Sequence, residues 1–168
     1  MKAYVAVMAV IFTLVFFTWG GARIVNNIQF DRNADGYLKR AADANTIELA
    51  KKNLAVAVKY LEENSLTSGY TSILWRTPDE DVGFWYDNLK ASLKELEGVS
   101  SDATQLEKTN ILMKLRETLL DQGQKGVHVT APSGITVFPN NTFYVMWGAI
   151  SFILAAYFFA IFFKDLDL

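Results

Sequence analysis

Cysteine is absent from the chain and histidine occurs once, at position 128. Those two scarcities exclude disulfide scaffolds, thiol catalysis, zinc clusters, iron–sulfur centres and covalent haem attachment together, because each needs cysteine or more imidazoles than the one present. The single imidazole, with neither run described below containing any, also leaves a haem or chlorophyll ligated within a bilayer without support. Three prolines and ten glycines in 168 residues leave no Pro- or Gly-rich linker. There is no excess of positive charge either. The net charge of −2 argues against nucleic acid as a partner, since phosphate binding needs a basic surface.

What the chain has in quantity is apolar and aromatic side chains, 51% and 14% of the total, with a mean hydropathy of +0.15. They gather at the two ends. Residues 3–19 (AYVAVMAVIFTLVFFTW) form an uncharged run of 17, and residues 143–163 (FYVMWGAISFILAAYFFAIFF) a run of 21. A helix crossing the hydrocarbon core needs about 20 residues, within a range of about 17–25. The second run meets this directly. The first meets it by extending to Val25, with Arg23 snorkelling to the interface. Trp19, Tyr144 and Trp147 sit near the ends of the runs, as aromatic belts do. Lys2, the apolar stretch and Gly20-Gly21-Ala22 also describe a secretory signal peptide, although 17 apolar residues exceed the usual h-region of about 7–15.

The expected organisation is therefore a transmembrane anchor over residues 1–25, a helical domain over 26–126, a short β-hairpin over 127–140, a second transmembrane helix over 141–163 and a tail over 164–168. Residues 20–142 carry 14 of the 16 basic and 16 of the 18 acidic side chains, so nearly all charge lies on one side of the runs. Arg23, Arg32 and Lys125 flank the runs on the loop side, against Lys2 and Lys164 on the tail side. Loops beyond about 60 residues largely escape the positive-inside rule, so this balance does not set orientation. A short N-terminus led by Lys2 suits a signal-anchor with the loop translocated. The expectation is a bacterial inner-membrane protein with cytoplasmic termini and a periplasmic central domain.

Within the central segment three amphipathic helices are expected. Asn45-Thr-Ile-Glu48 has the pattern of a capping box, and Ile47, Ala50, Leu54, Ala57, Val58 and Leu61 follow on one face. Thr77-Pro-Asp-Glu80 opens a second helix to about Glu97, with Val82, Trp85, Leu89, Leu93 and Leu96 inward. A third runs from Asp102 to about Gln122, with Leu106, Leu112, Met113, Leu115 and Leu119 as its apolar set and Gly123 as its stop. The stretch from Arg23 to Ala44 lacks proline, so the first span either continues outward or breaks near Gly36. The short runs at 127–130 and 135–138, around Ala131-Pro-Ser-Gly134, read as a membrane-proximal β-hairpin. The fold class is mostly α: two membrane helices flanking an antiparallel helical bundle with a small hairpin.

Motifs for chemistry are sparse. Asp31, Asn33 and Asp35, with Gly36 following, match the first positions of a calcium loop. Position 12 is Ala42, where a bidentate acid belongs, and Lys39 occupies a ligand position, so a turn is preferred. Asp79, Glu80 and Asp81 are accounted for by the dipole of a first helical turn. No Glu-x-x-His pair exists for a di-iron bundle, and no Gly-x-Ser-x-Gly stands by any serine. Asn140-Asn-Thr142 is a formal glycosylation acceptor that also serves as a helix cap. Neither a catalytic centre, a resident cofactor nor a metal site is expected.

The remaining signal is a surface for partners. Tyr70, Trp75 and the consecutive Phe84-Trp85-Tyr86 cannot all be buried on one helix face, and exposed Trp and Tyr favour interfaces. In the second run Ser151/Ala155 and Ala156/Ala160 have small-xxx-small spacing, which permits close helix approach. Three function classes follow. A non-catalytic accessory subunit would dock on a larger inner-membrane complex, with integral membrane subunits, the bilayer and other copies of itself as partners. The layout also resembles the ligand-binding half of bacterial chemoreceptors, without a shared motif. Only Lys164 to Leu168 follow the second run, so a signal on that reading passes through a membrane partner. A small pore or phage-exclusion protein would need polar lumen residues, and the runs supply only Thr13, Thr18 and Ser151.

Overall fold

The computed structural model describes residues 2–123 and 126–164. Lys125 and the tail residues after Lys164 lie outside them. Six α-helices and one pair of strands account for most of the described chain. Two compact units separate, one holding residues 2–27 and 140–164 and the other Ile28–Pro139.

The first unit holds helix α6 (Asn141–Lys164) and all but the last three residues of helix α1 (Lys2–Phe30), and both helices are long and apolar enough to cross a membrane. Their apolar side chains point outward. Leu14, Phe17, Phe152 and Ile153 are each exposed by 58–68%, and only 11% of each apolar window is buried. A core helix of a water-soluble domain would bury this surface. The helices lie antiparallel, since Phe12 stacks on Phe158 at 5.7 Å, Phe16 meets Phe152 at 5.6 Å, and Trp19 reaches Tyr144 and Gly148. Gly148, Ser151 and Ala155 form the contact stripe of α6, with Val5 and Ala9 buried on α1. Small residues here let the backbones approach. At Gly148 a Cβ would fall 2.6 Å from the Trp19 ring. The hydroxyls of Thr13, Thr18 and Ser151 each donate to a carbonyl of their own helix, so their polarity is satisfied locally rather than offered to a lumen.

The helical path continues past Phe30 without a break. One π turn (Asp31–Asp35) joins α1 to α2 (Gly36–Ala42). The widened turn brings the Asp31 carbonyl to 2.9 Å from where a Cβ of residue 36 would stand, so Gly36 keeps the helix going instead of ending it. The turn expected over the aspartates is thus a helix.

The second unit's core is built by α2, α3 (Ile47–Glu63), α4 (Val82–Glu97) and α5 (Gln105–Leu119). All six apolar positions expected for α3, from Ile47 to Leu61, are buried. Its cap is Thr46, one residue later than expected, whose side chain accepts from the Leu49 N–H at 3.3 Å. Leu38, Leu54, Leu61, Leu89 and Leu119 are fully enclosed in one cluster with Val82. Thr77-Pro-Asp-Glu80 forms a 3₁₀ turn rather than the first turn of α4, and Asp81 is the true cap, accepting from the Phe84 N–H at 3.0 Å.

Two expectations fail at the end of this unit. Helix α5 starts from Thr104 and stops at Leu119, where the chain turns into β1 (Leu120–Gly123). Leu106 and Met113 are exposed at 70% and 57%, leaving Leu115 and Leu119 as the buried positions of α5. The second correction concerns the hairpin. Strand β2 (Gly126–Val129) does form, but its antiparallel partner is β1, in the register Leu120↔Val129 and Asp121↔His128. Ile135–Val137 is a 3₁₀ turn whose Ile135 and Val137 plug the core, so the strand pair lies upstream of the expected one. Apolar alternation at 135–137 reported burial, not strand pairing.

Candidate functional site

The connection from α3 to α4 is held from both ends. At the α3 end Ser65 adopts a left-handed conformation (φ 57°) and the Leu66 N–H returns to the Leu61 carbonyl at 2.8 Å, a helix stop that also buries Leu66. Further on, Tyr70 and Asp81 pair as an antiparallel bridge. Thr71 N–H donates to the Glu80 carbonyl at 3.0 Å and Val82 N–H to the Gly69 carbonyl at 2.9 Å. The Tyr70 hydroxyl donates to the Asp81 carboxylate, which raises the phenol pKa above its usual value. Asp81 is held below the usual carboxylate range, first by the Phe84 backbone N–H and further by Tyr70.

Between these clamps a tight turn displays apolar residues. The Ser72 hydroxyl accepts from the Trp75 N–H and donates to the Trp75 carbonyl, closing the turn on itself. Ile73 is 41% exposed, and Leu74 and Trp75 are each 76% exposed. Arg76 folds back over the Tyr70 ring at 5.4 Å. Glu80 accepts from both the backbone and the hydroxyl of Thr77, fixing the descending limb. A defined turn therefore presents a leucine and a tryptophan to the outside, and burying each against a partner would return roughly 1.5–3 kcal/mol.

The other aromatic candidates divide. Phe84 is 66% exposed, whereas Trp85 is buried at 6% with Val82 and Leu89. The Tyr86 hydroxyl donates to Glu62 at 2.6 Å, and the Lys90 ammonium joins the same carboxylate at 2.9 Å. These contacts lower the Glu62 pKa and raise that of Lys90; burial, then Glu62, raises that of Tyr86. So Trp75 and Phe84 remain available, Tyr70 (37% exposed) is engaged by Asp81 and Arg76, and Trp85 and Tyr86 serve packing. Leu74 had no separate signal in the sequence beyond three apolar residues in a row inside an aperiodic connection.

The small residues of α6 divide in the same way. Ser151 and Ala155 pack within the chain, and Ala156 and Ala160 are exposed. Of the calcium candidates, Asn33 donates to the Gln29 carbonyl and Asp35 pairs with Lys39 at 2.6 Å, all within helix. Asp31, Asn33 and Asp35 do not form a loop that converges on an ion. Among the described residues no three His, Asp or Glu side chains assemble as metal ligands.

A groove of about 680 Å³ runs between the start of α4 and the strand pair. Asp79, Glu80, Asp81, Asp121 and His128 line it beside Phe84, and no lysine or arginine does. His128 faces Asp121 across the strand register, a pairing that the sequence separation concealed. Thr130, also in the lining, donates its hydroxyl to the Thr118 carbonyl at 2.9 Å, so it is committed to holding β2 against α5. The groove's charge suits a cation over an anion.

Comparison with known proteins finds no match for the chain among family models, curated proteins or solved structures.

Proposed function

We propose that the chain is a non-catalytic, membrane-anchored accessory subunit that docks on a larger inner-membrane complex. The observation that carries this reading is the Ser72–Trp75 turn, which holds Leu74 and Trp75 at 76% exposure on a braced connection. Soluble surfaces rarely keep adjacent large apolar side chains outward without a partner to cover them. Anchoring is supported by the outward apolar faces of α1 and α6. On this reading both termini are cytoplasmic, the central unit is periplasmic, and further subunits or copies of this chain meet the turn and the exposed faces of the two helices.

The test places a photo-crosslinking residue at position 75, and a control at the exposed Leu106, in cells making the full chain. A discrete adduct at position 75 alone, containing an integral membrane protein, is the expected result. A clean monomer at both positions, together with no co-purifying membrane protein in mild detergent, overturns the proposal. A reporter fused after Leu168 should read cytoplasmic; a periplasmic readout inverts the topology.

The groove favours a second reading, a sensing domain for a small cation that signals through a membrane partner. Spermidine would then raise the melting temperature of the full chain in detergent. No rise with the amine in excess removes that reading.

A further inference from the structure

The two membrane-length helices border a second cleft, shallow and open, of about 320 Å³ and almost wholly apolar. Phe12 and Val15 of α1 form one wall, and Phe143, Met146, Trp147 and Ile150 of α6 form the other. Polar contacts between the helices lie near the α6 N-terminus, outside the cleft lining. Trp19 Nε1–H donates to the Tyr144 carbonyl at 2.7 Å, and Asn26 donates to the Tyr144 hydroxyl at 2.8 Å. That hydroxyl's own proton remains for another acceptor. The Arg23 guanidinium lies over the Trp19 ring at 5.4 Å.

Residues 12, 15, 19, 23 and 26 recur at helical spacing, which places the apolar wall, the stacked arginine and the asparagine on one face of α1. Arg23 has neither a hydrogen bond nor an ion pair among the described residues. Neither α1 nor α6 contains an Asp or Glu, so the helix pair itself supplies no counter-charge. A guanidinium on the helix face that also carries Phe12 and Val15, stacked on a tryptophan whose indole bonds to Tyr144, is matched by a group with an anionic head and an apolar tail.

We propose that this cleft is a binding site for an anionic phospholipid, with one acyl chain between Phe12 and Ile150 and the phosphate held by Arg23 and the Tyr144 hydroxyl. Arginine suits phosphate because its planar donors engage two oxygens together. The inference rests on the membrane-anchored reading. It goes beyond it by naming a particular lipid class and the residues that select it.

Native mass spectrometry of the full chain in detergent tests the site, with phosphatidylglycerol and phosphatidylcholine supplied in equal amounts. The unaltered chain should retain phosphatidylglycerol in roughly fivefold preference, the effect of one basic side chain at a lipid surface. Arg23→Gln should bring the two lipids to parity, and Arg23→Lys should restore much of the preference. Ile150→Trp, which fills the cleft, should reduce retention of both lipids. Equal retention by the unaltered chain and Arg23→Gln overturns the site. Displacement of the lipid by glycerol phosphate also overturns it, since a free anion would then suffice; an acidic protein co-purifying in place of lipid and lost on Arg23→Gln does the same. Alkaline carbonate extraction separates this failure from that of the underlying reading. Release of the chain from membranes sinks the anchored reading, whereas retention without lipid selectivity sinks only the lipid site.

Discussion

Tyr70 and Asp81 are joined twice, once as an antiparallel backbone bridge and once through the phenol hydroxyl on the carboxylate. The same carboxylate caps α4 through the Phe84 N–H. One aspartate thereby fastens the base of the exposed Leu74–Trp75 turn to the start of a core helix, and the candidate docking surface depends on it.

Acid should loosen this fastening. Asp81 has a folded-state pKa below its unfolded value, because the Phe84 N–H and then Tyr70 stabilise the charged form; Glu107 is lowered by the Thr104 backbone N–H. A depressed carboxylate contributes stability that is complete above the unfolded pKa, about 4, and is lost as pH falls through the lower folded value. Melting temperatures of the full chain in detergent should therefore fall on acidification below about pH 4. Asp81→Asn, which retains a capping oxygen, should make that fall shallower. An unchanged acid limb in the variant would show that Asp81 is not a contributor.

The docking turn should be separable from folding. Leu74→Asp combined with Trp75→Ala removes side chains that touch solvent, so stability should change by no more than about 0.5 kcal/mol. Partner capture in mild detergent should fall by roughly thirtyfold, the loss of an anchor worth about 2 kcal/mol. Undiminished capture would relocate the surface, with Phe84 the next residue to change.

Core and surface leucines should differ sharply. Leu54 is fully enclosed and Leu106 is 70% exposed. Leu54→Ala should cost about 2–5 kcal/mol, and Leu106→Ala within about 0.5 kcal/mol. Thermal unfolding followed by circular dichroism distinguishes them, and similar losses would mean that the outer face of α5 is covered.

Gly148 and Gly20 provide a paired test of the helix contact. A Cβ at Gly148 would overlap the Trp19 ring, which is pinned by its bond to the Tyr144 carbonyl, whereas Gly20 has nothing within 4 Å. Gly148→Ala should destabilise by about 1–3 kcal/mol through overpacking. Gly20→Ala should be neutral or stabilising by up to about 1 kcal/mol, from helix propensity. The two melting temperatures moving together would argue against the close approach.

Calcium should leave the melting temperature unchanged, and Asp31→Ala should have no calcium-dependent effect. Asp31, Asn33 and Asp35 lie in helical backbone, with Asn33 and Asp35 already bonded along the helix. A rise on adding calcium, abolished by Asp31→Ala, would restore the loop reading.

The sequence by itself determined the helices whose apolar spacing is regular, because a 3.6-residue period can be satisfied in one way only. Ile47 to Leu61 and the two long apolar runs are of this kind. It also determined that soft-ligand and thiol chemistry is unavailable, since that depends on composition alone. Tertiary structure decided the rest. Gly36 could equally end a helix or permit a π turn, and the choice rests on whether α2 has a core to enter. Whether Val127 to Thr130 pairs forward or backward is a matter of which neighbour completes the ladder, and alternation along one strand carries no record of its partner. Phe84, Trp85 and Tyr86 are three similar letters whose fates, outward, inward and bonded to Glu62, follow from the different surroundings the fold gives each. The apolar cleft between α1 and α6 was hidden for the same reason. Its walls stand more than a hundred residues apart in the chain and meet only when α1 and α6 lie side by side.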